Sequence, residues 1–223
     1  MRSQRILLPA VIALDAPVLS SLRQLANDEA RTTDTRRQAI QWFGVVGDAS
    51  VIPELMRFAH GGDAGERRSL SGAAISALAE LPEDAGVPSL LALSHDSSTG
   101  VRHDVVFWLG QTEDPRAAKR LHEIIEDTAE STNVRRNALF ALGQDGQVPT
   151  SDLVTAYRTL DGAALKEQAI FVLSERDDKT AIDALIDIAR ADPDHRMRGK
   201  AMFWLAQKHD PRVTRLLSDI LVK

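Results

Sequence analysis

The side chains able to do chemistry fall into two groups, one scattered and one ordered. Six histidines, His60, His95, His103, His122, His195 and His209, lie in different stretches of the chain. No two are one helical turn apart, the spacing at which imidazoles share a zinc ion. The one His-Glu pair is His122-Glu123. No cysteine is present, which removes disulfides, thiolate nucleophiles and Cys-ligated zinc together. There is no glycine-rich phosphate loop and no glycine-flanked serine nucleophile. These residues offer neither a catalytic group nor a metal ligand, and no cofactor is expected. The ordered group is different. Phe107, Phe140, Phe171 and Phe203 recur at near-constant spacing, each followed four residues later by Gln111, Gln144, Glu175 or Gln207. Trp108 and Trp204 stand immediately after two of these phenylalanines, and Trp42 holds the same place further upstream. Rings flanked by amide and carboxylate groups do recognition chemistry, gripping a peptide or another helix.

What positions these residues is a repeat. RGKAMFWLAQKHDPRVTRLL from Arg198 has counterparts in RRNALFALGQDGQ from Arg135, RHDVVFWLGQTEDPRAAKRL from Arg102 and RRQAIQWFGVVGDASVIPEL from Arg36. Small residues mark the centre of each Ala-rich helix: Ala39, Ala74, Val105, Ala138, Ala169 and Ala201, with Ile6 as the centre of an incomplete first repeat. Nine residues on comes Asp48, Asp114, Asp178 or Asp210 (and Asp15 in the first repeat), which reads as the N-cap of a second, plainer helix. The repeat at Ala138 uses Asp145-Gly146 and Pro149-Thr150-Ser151 instead, and that at Ala74 carries Pro82 and Asp84 one residue late.

The pattern predicts about fourteen helices. Ala-rich helices are expected near 2–14, 34–46, 66–80, 99–111, 132–144, 163–175 and 194–208. Plainer ones are expected near 17–29, 49–60, 86–94, 114–127, 150–159, 178–190 and 211–222. No run alternates with period two for long enough to make a strand, so the fold class is all-α. One repeat domain over 1–223 is expected.

Composition sets further bounds. A net charge of −5 with both signs interspersed argues against a nucleic-acid partner. No apolar run approaches the ~20 residues of a membrane span. MRSQRILLPAVIALDAP resembles a short signal peptide, with Arg2 and Arg5 before Ile6 to Leu14. Yet RILLPAVIALDAPVLSSL aligns without gaps on KAMFWLAQKHDPRVTRLL, so the stretch is read as the first helix of the array. A cytoplasmic location is expected, with a periplasmic or secreted one left open.

A period of about 32 residues, two helices per repeat, Asp in the turns and Arg near the start of the Ala-rich helix resemble HEAT repeats. The short bacterial variety named for phycobilisome lyase subunits is the most similar in pattern. The resemblance covers the whole chain. It implies a right-handed α-solenoid of antiparallel pairs, with the Ala-rich helices lining a concave side. It is nearly silent on activity. Iron-binding HEAT hydroxylases carry several His-Glu pairs where this chain has one, and HEAT-like DNA glycosylases place Trp and Asp in a basic groove that this acidic chain lacks.

Two columns remain to be weighed. Three residues before each centre stand Arg36, Arg102, Arg135, Lys166 and Arg198, with Ser71 the exception. At 100° per residue this position lies about 60° from the centre, inside the buried stripe with Leu78, Leu109, Leu142, Leu173 and Leu205. It is expected to tie repeat to repeat through the carbonyl end of the previous helix, or through Asp28, Asp63, Asp96, Asp127, Asp161 and Asp192. The Phe column lies at about 200°, opposite that stripe, and the Trp column at about 300°, on the flank. Two readings stand: the rings line a groove, or they seal the seam between neighbouring Ala-rich helices. The seam suits the Trp column better.

The expectation is a non-catalytic scaffold binding another protein or a peptide on the aromatic–amide face, through Trp42, Phe107, Trp108, Gln111, Phe140, Gln144, Phe171, Glu175, Phe203, Trp204 and Gln207. Alternatives are an accessory or lyase-type subunit acting on a partner-bound cofactor, and a nucleic-acid-binding protein. The apolar Ile6, Leu7, Leu8, Val11 and Ile12 add the expectation of a longer array or end-to-end self-association.

Overall fold

A computed structural model describes residues 17–144, 146, 148–208 and 210–214. The expected helix over 2–14 and Asp15, the expected cap of the helix after it, lie outside the described residues, as do Asp145, His209 and most of the helix expected over 211–222. The chain forms two compact units, Met1–Arg120 and Leu121–Lys223. The first holds α1 (Pro17–Asn27), α2 (Thr33–Val46), α3 (Ile52–Ala59), α4 (Gly65–Ala79), α5 (Val87–Leu93) and α6 (Thr99–Leu109). The boundary falls within α7 (Pro115–Glu126). The second holds α8 (Thr132–Gln144), α9 (Thr150–Thr159), α10 (Ala163–Ser174), α11 (Lys179–Ala191) and α12 (His195–Leu205), and a further helix begins at 211. There is no strand among the described residues, and no helix among them is long and apolar enough to cross a membrane.

Each unit has two layers. Ala-rich α2, α4 and α6 stand side by side in the first unit, with α3 and α5 behind them; α8, α10 and α12 repeat the pattern in the second, backed by α9 and α11. Four residues after each centre, Phe43, Leu78, Leu109, Leu142, Leu173 and Leu205 are sealed against the plainer layer. Each contributes about 1.5–3 kcal/mol by leaving water. Five residues after the centre the side chain must be small. A Cβ on Gly44 would lie 2.8 Å from the Ala77 backbone, and one on Gly143 would lie 2.3 Å from a Val172 methyl. These glycines let neighbouring Ala-rich helices approach closely.

The turns with Asp nine residues after the centre follow their sequence signals, but α9 starts from Pro149 with no side-chain cap, so Pro149-Thr150-Ser151 does not do the capping expected of it. Asp48 accepts from the Ser50 N–H, Asp114 from Arg116, Asp178 from Ala181 and Asp210 from Arg212. Each satisfies a backbone donor at a helix start that would otherwise lack an acceptor. Asp84 does not cap. Glu83 and Asp84 both take positive φ, at 56° and 53°, in a tight 3-10 turn, and α5 starts from Gly86 without a side-chain cap. The expected start of a helix at 49 is likewise a 3-10 turn over Ala49–Val51.

In the basic column Arg36 and Arg135 make the expected bond to the carbonyl end of the helix behind them, whereas Arg102 turns to the loop before its own helix and Lys166 approaches a carboxylate instead. Arg36 Nε donates to the Ala26 carbonyl at 3.0 Å and Arg135 Nε to Ile125 at 2.9 Å. Arg102 reaches the Asp96 carbonyl at 2.7 Å and Arg198 the Asp192 carbonyl at 2.7 Å. Ser71, the exception in the column, does the same work with its hydroxyl, donating to Ala59 at 2.6 Å. The carboxylate partners are one repeat further on than the nearest aspartates. Arg36 pairs with Glu66, Arg135 with Asp161, and Lys166 approaches Asp192 at 4.0 Å. Asp28, Asp96, Asp127 and Asp192 accept instead from the backbone N–H two residues on, closing their own turns. Arg36 and Arg135 thus each link the helix behind them to the repeat ahead.

Candidate interaction site

The outward face of the Ala-rich layer is set by the same helical arithmetic that buries its other side. In the second unit this face carries rings in contact from one helix to the next. Phe140 on α8 stacks with Phe171 on α10, centroids 6.3 Å apart and planes 16° from parallel. Phe171 meets Trp204 on α12 at 5.5 Å, edge to face, and Trp204 meets Phe203 at 5.2 Å. The strip is open to solvent: Phe140 is 40 % exposed and Phe203 60 %, while Phe171, in the middle, is half-buried. Gln144 ends α8, Glu175 caps α10, and Gln207 follows α12; all three are exposed along one side of the strip. At the other side Lys200 pairs with Glu167 at 3.3 Å, and Arg136 reaches Gln168 at 3.5 Å.

Trp204 shows how the two readings of the aromatic columns combine. It is half-buried and lies against Phe171 of the preceding repeat, so its ring fills the seam and also borders the strip. Its position, three residues after the centre, is the register position of Ala77 and Val172. Where the preceding helix has glycine five residues after its centre, the residue at that register is small: Ala77 opposite Gly44 and Val172 opposite Gly143.

The first unit brings fewer of its predicted residues together. Phe107 is 52 % exposed and meets half-buried Trp108 at 5.1 Å; Gln111 is exposed beyond them. Trp42, half-buried on α2, is separated from that pair by α4, whose corresponding positions hold Ser76 and Ala77. The sequence reading missed Val45, 61 % exposed on α2. The signal was available, because Val45 occupies the column of Gln111, Gln144, Glu175 and Gln207.

Several carboxylates close turns at helix starts. Asp194 and Asp210 are drawn down to about 2, chiefly by the guanidinium of the arginine two residues on, Arg196 or Arg212, and then by its backbone N–H. Burial and the Asp192 carboxylate push the Tyr157 phenol well up; its hydroxyl donates to Asp192 at 2.6 Å. Among the described residues no group of three or more His, Asp or Glu is placed to hold a metal ion.

Comparison with known proteins places the repeat. The model of the family described as HEAT repeats matches residues 63–143 and 87–161. Deoxyhypusine hydroxylases of Drosophila pseudoobscura pseudoobscura and Drosophila melanogaster are 33% identical over 88 residues, 38% of this chain. The chain matches only 29% of the length of those relatives. A crystal structure of an engineered protein aligns at a TM-score of 0.42 and 18% identity, over 89% of this chain and 92% of that one. That likeness is too loose to carry an argument. The HEAT-repeat match falls on residues 63–161, and a two-helix repeat of the same kind continues on either side of it.

Proposed function

We propose that this protein is a non-catalytic interaction scaffold, and that its second unit binds a peptide segment of another protein across α8, α10 and α12. The single observation carrying this is the exposed, mutually touching run Phe140–Phe171–Trp204–Phe203. Large apolar side chains in contact with one another but left in water mark an interaction surface. Aromatic rings are also the side chains that most often dominate binding energy. The Phe107–Trp108 pair with Gln111 in the first unit, and Trp42 apart from it, are smaller patches of the same chemistry.

The test separates binding from folding. A random twelve-residue peptide library, panned against the protein, should yield peptides that lose binding to the Phe140→Ala, Phe171→Ala double variant. The melting temperature of that variant should fall by no more than about 8 °C, because Phe140 is exposed and Phe171 only half-buried, so the two truncations together cost about 1–2 kcal/mol. Peptides that ignore the rings, or a variant that unfolds, would sink the proposal.

The match to deoxyhypusine hydroxylases supports a second, enzymatic reading. It covers less than a third of those proteins, and this chain offers one His-Glu pair, His122-Glu123. Stoichiometric iron in the purified protein would move the enzymatic reading ahead of the scaffold.

A further inference from the structure

We infer that the groove of the second unit selects a short extended segment bearing an arginine or lysine, whose cation is received by Glu175 together with Phe171 and Trp204. This rests on the reading of that face as a peptide groove and names what the groove prefers.

The inference starts from a break in a column. Six residues after the centre, the three helices of this unit carry Gln144, Glu175 and Gln207, a carboxylate between two amides. Glu175 is the C-cap of α10, its N–H returned to the Phe171 and Val172 carbonyls. Its carboxylate is exposed and has no ion-pair or hydrogen-bond partner among the described residues. The neighbouring cations are engaged elsewhere. Lys208 donates to Asp177 at 2.6 Å and to the Arg176 carbonyl at 3.4 Å, Lys200 pairs with Glu167, and half-buried Arg176 acts on Asp178. A carboxylate at a helix C-terminus also faces the negative end of the helix dipole. A cation placed there relieves both charges.

The rings complete the receptor. Phe171 lies one helical turn before Glu175, on the same side of α10. Trp204 stands 5.5 Å from Phe171, its plane inclined 61° to that ring. A ring cluster beside a carboxylate suits a guanidinium or ammonium group, drawn to an electron-rich face and to the charge at once.

The flanking amides argue for an extended occupant rather than a helical one. Gln144 and Gln207 each offer donor and acceptor, the complement of a peptide unit. A partner helix keeps its backbone groups for itself. Helices pack about 8–10 Å apart, so α8 to α12 is about 16–20 Å. At ~3.3 Å per residue that is about five or six residues of extended chain. The cation then falls at the middle of the segment.

The random twelve-residue library tests this on three forms of the full chain, the parent, Glu175→Gln and Glu175→Arg. Glutamine is the residue the flanking repeats carry, so the fold is expected to stand. Peptides selected on the parent should share an Arg or Lys at one fixed place and bind Glu175→Gln about threefold more weakly. Glu175→Arg should reverse the preference, selecting Asp or Glu. Ring-dependent peptides without a basic residue, or equal binding to parent and Glu175→Gln, would overturn the cation preference and leave the groove standing. If no peptide depends on Phe140 and Phe171, the groove itself fails and the preference with it.

Discussion

The two units are built from one repeat, yet among the described residues only the second presents rings in contact from helix to helix. In the first, α4 interrupts the run with Ser76 and Ala77, so Trp42 stands apart from Phe107 and Trp108. In the second, α8, α10 and α12 each supply a phenylalanine at the same register, and the rings touch. The number of aromatic residues is therefore a poor guide to a surface of this kind. What matters is that consecutive repeats agree. A solenoid contacts only its nearest neighbours, so one small residue in one repeat breaks a strip in two.

The seams differ as well, and the largest expected effect follows from that. Gly44 approaches the Cα and carbonyl oxygen of Ala77, whereas Gly143 approaches the methyls of Val172. Backbone atoms cannot turn aside, but methyls on a rotatable bond can. Gly44→Leu should cost about 3 kcal/mol or more, and Gly143→Leu distinctly less, both read from urea unfolding. Equal losses would show that the seams yield in the same way. Gly199 on α12 has nothing within 4 Å of a Cβ. Gly199→Ala should therefore raise stability by about 0.5–1 kcal/mol.

The internal basic column sharpens the comparison at a second level. Arg135 is 6 % exposed and serves both the Ile125 carbonyl and Asp161. Arg135→Ala should lower stability by about 2 kcal/mol, since it strands a buried carbonyl. Ser71→Ala in the first unit removes a single neutral donor to Ala59 and should cost about 1 kcal/mol. A reversed order would mean that the cation's own burial offsets its bonds.

Repairing the break in the first unit is a gain-of-function test. Ser76→Phe puts a ring between the register positions of Gln41 and Phe107. The variant should bind ring-dependent peptides about tenfold better when the second unit is disabled by Phe140→Ala and Phe171→Ala, which is ~1.4 kcal/mol. No gain would show that register alone does not make a strip.

Much of this plan was legible from sequence because the repeats vote together. The helix over 132–144 matches its predicted bounds, and Asp48, Asp114, Asp178 and Asp210 cap where the spacing put them. Two things were not legible. Asp84 lies in a turn with two successive positive φ values, which side-chain chemistry alone does not announce. The carboxylate partners of Arg36 and Arg135 lie one repeat ahead, because a long guanidinium arm reaches across the seam while nearby aspartates are taken by their own turns. The angle of the Phe column left exposure and seam-filling both open; Phe107, Phe140 and Phe203 are exposed, and Phe171 is half-buried. Contact between its rings needed the spacing between helices, which no single helix encodes.

The smallest effect expected is in acid. In the second unit Asp194 and Asp210 ionise at about 2, held there first by Arg196 and Arg212. In the first unit Asp48 and Asp114 are also lowered, chiefly by bonds from Ser50 and Arg116; burial opposes the lowering of Asp96, but His60 and the Ser98 N–H outweigh it. A carboxyl whose folded value lies below its unfolded one adds stability above about pH 4. That contribution drains away as pH falls toward 2. Both units should therefore weaken over that window, modestly, because most of these pairs are exposed and screened. Asp194→Asn keeps a capping acceptor but cannot titrate. Its urea midpoint at pH 7 should drop slightly, and its further fall between pH 4 and pH 2.5 should be shallower than the parent's. An unchanged acid slope would show that the Asp194–Arg196 pair orders its turn without contributing to the pH dependence of folding.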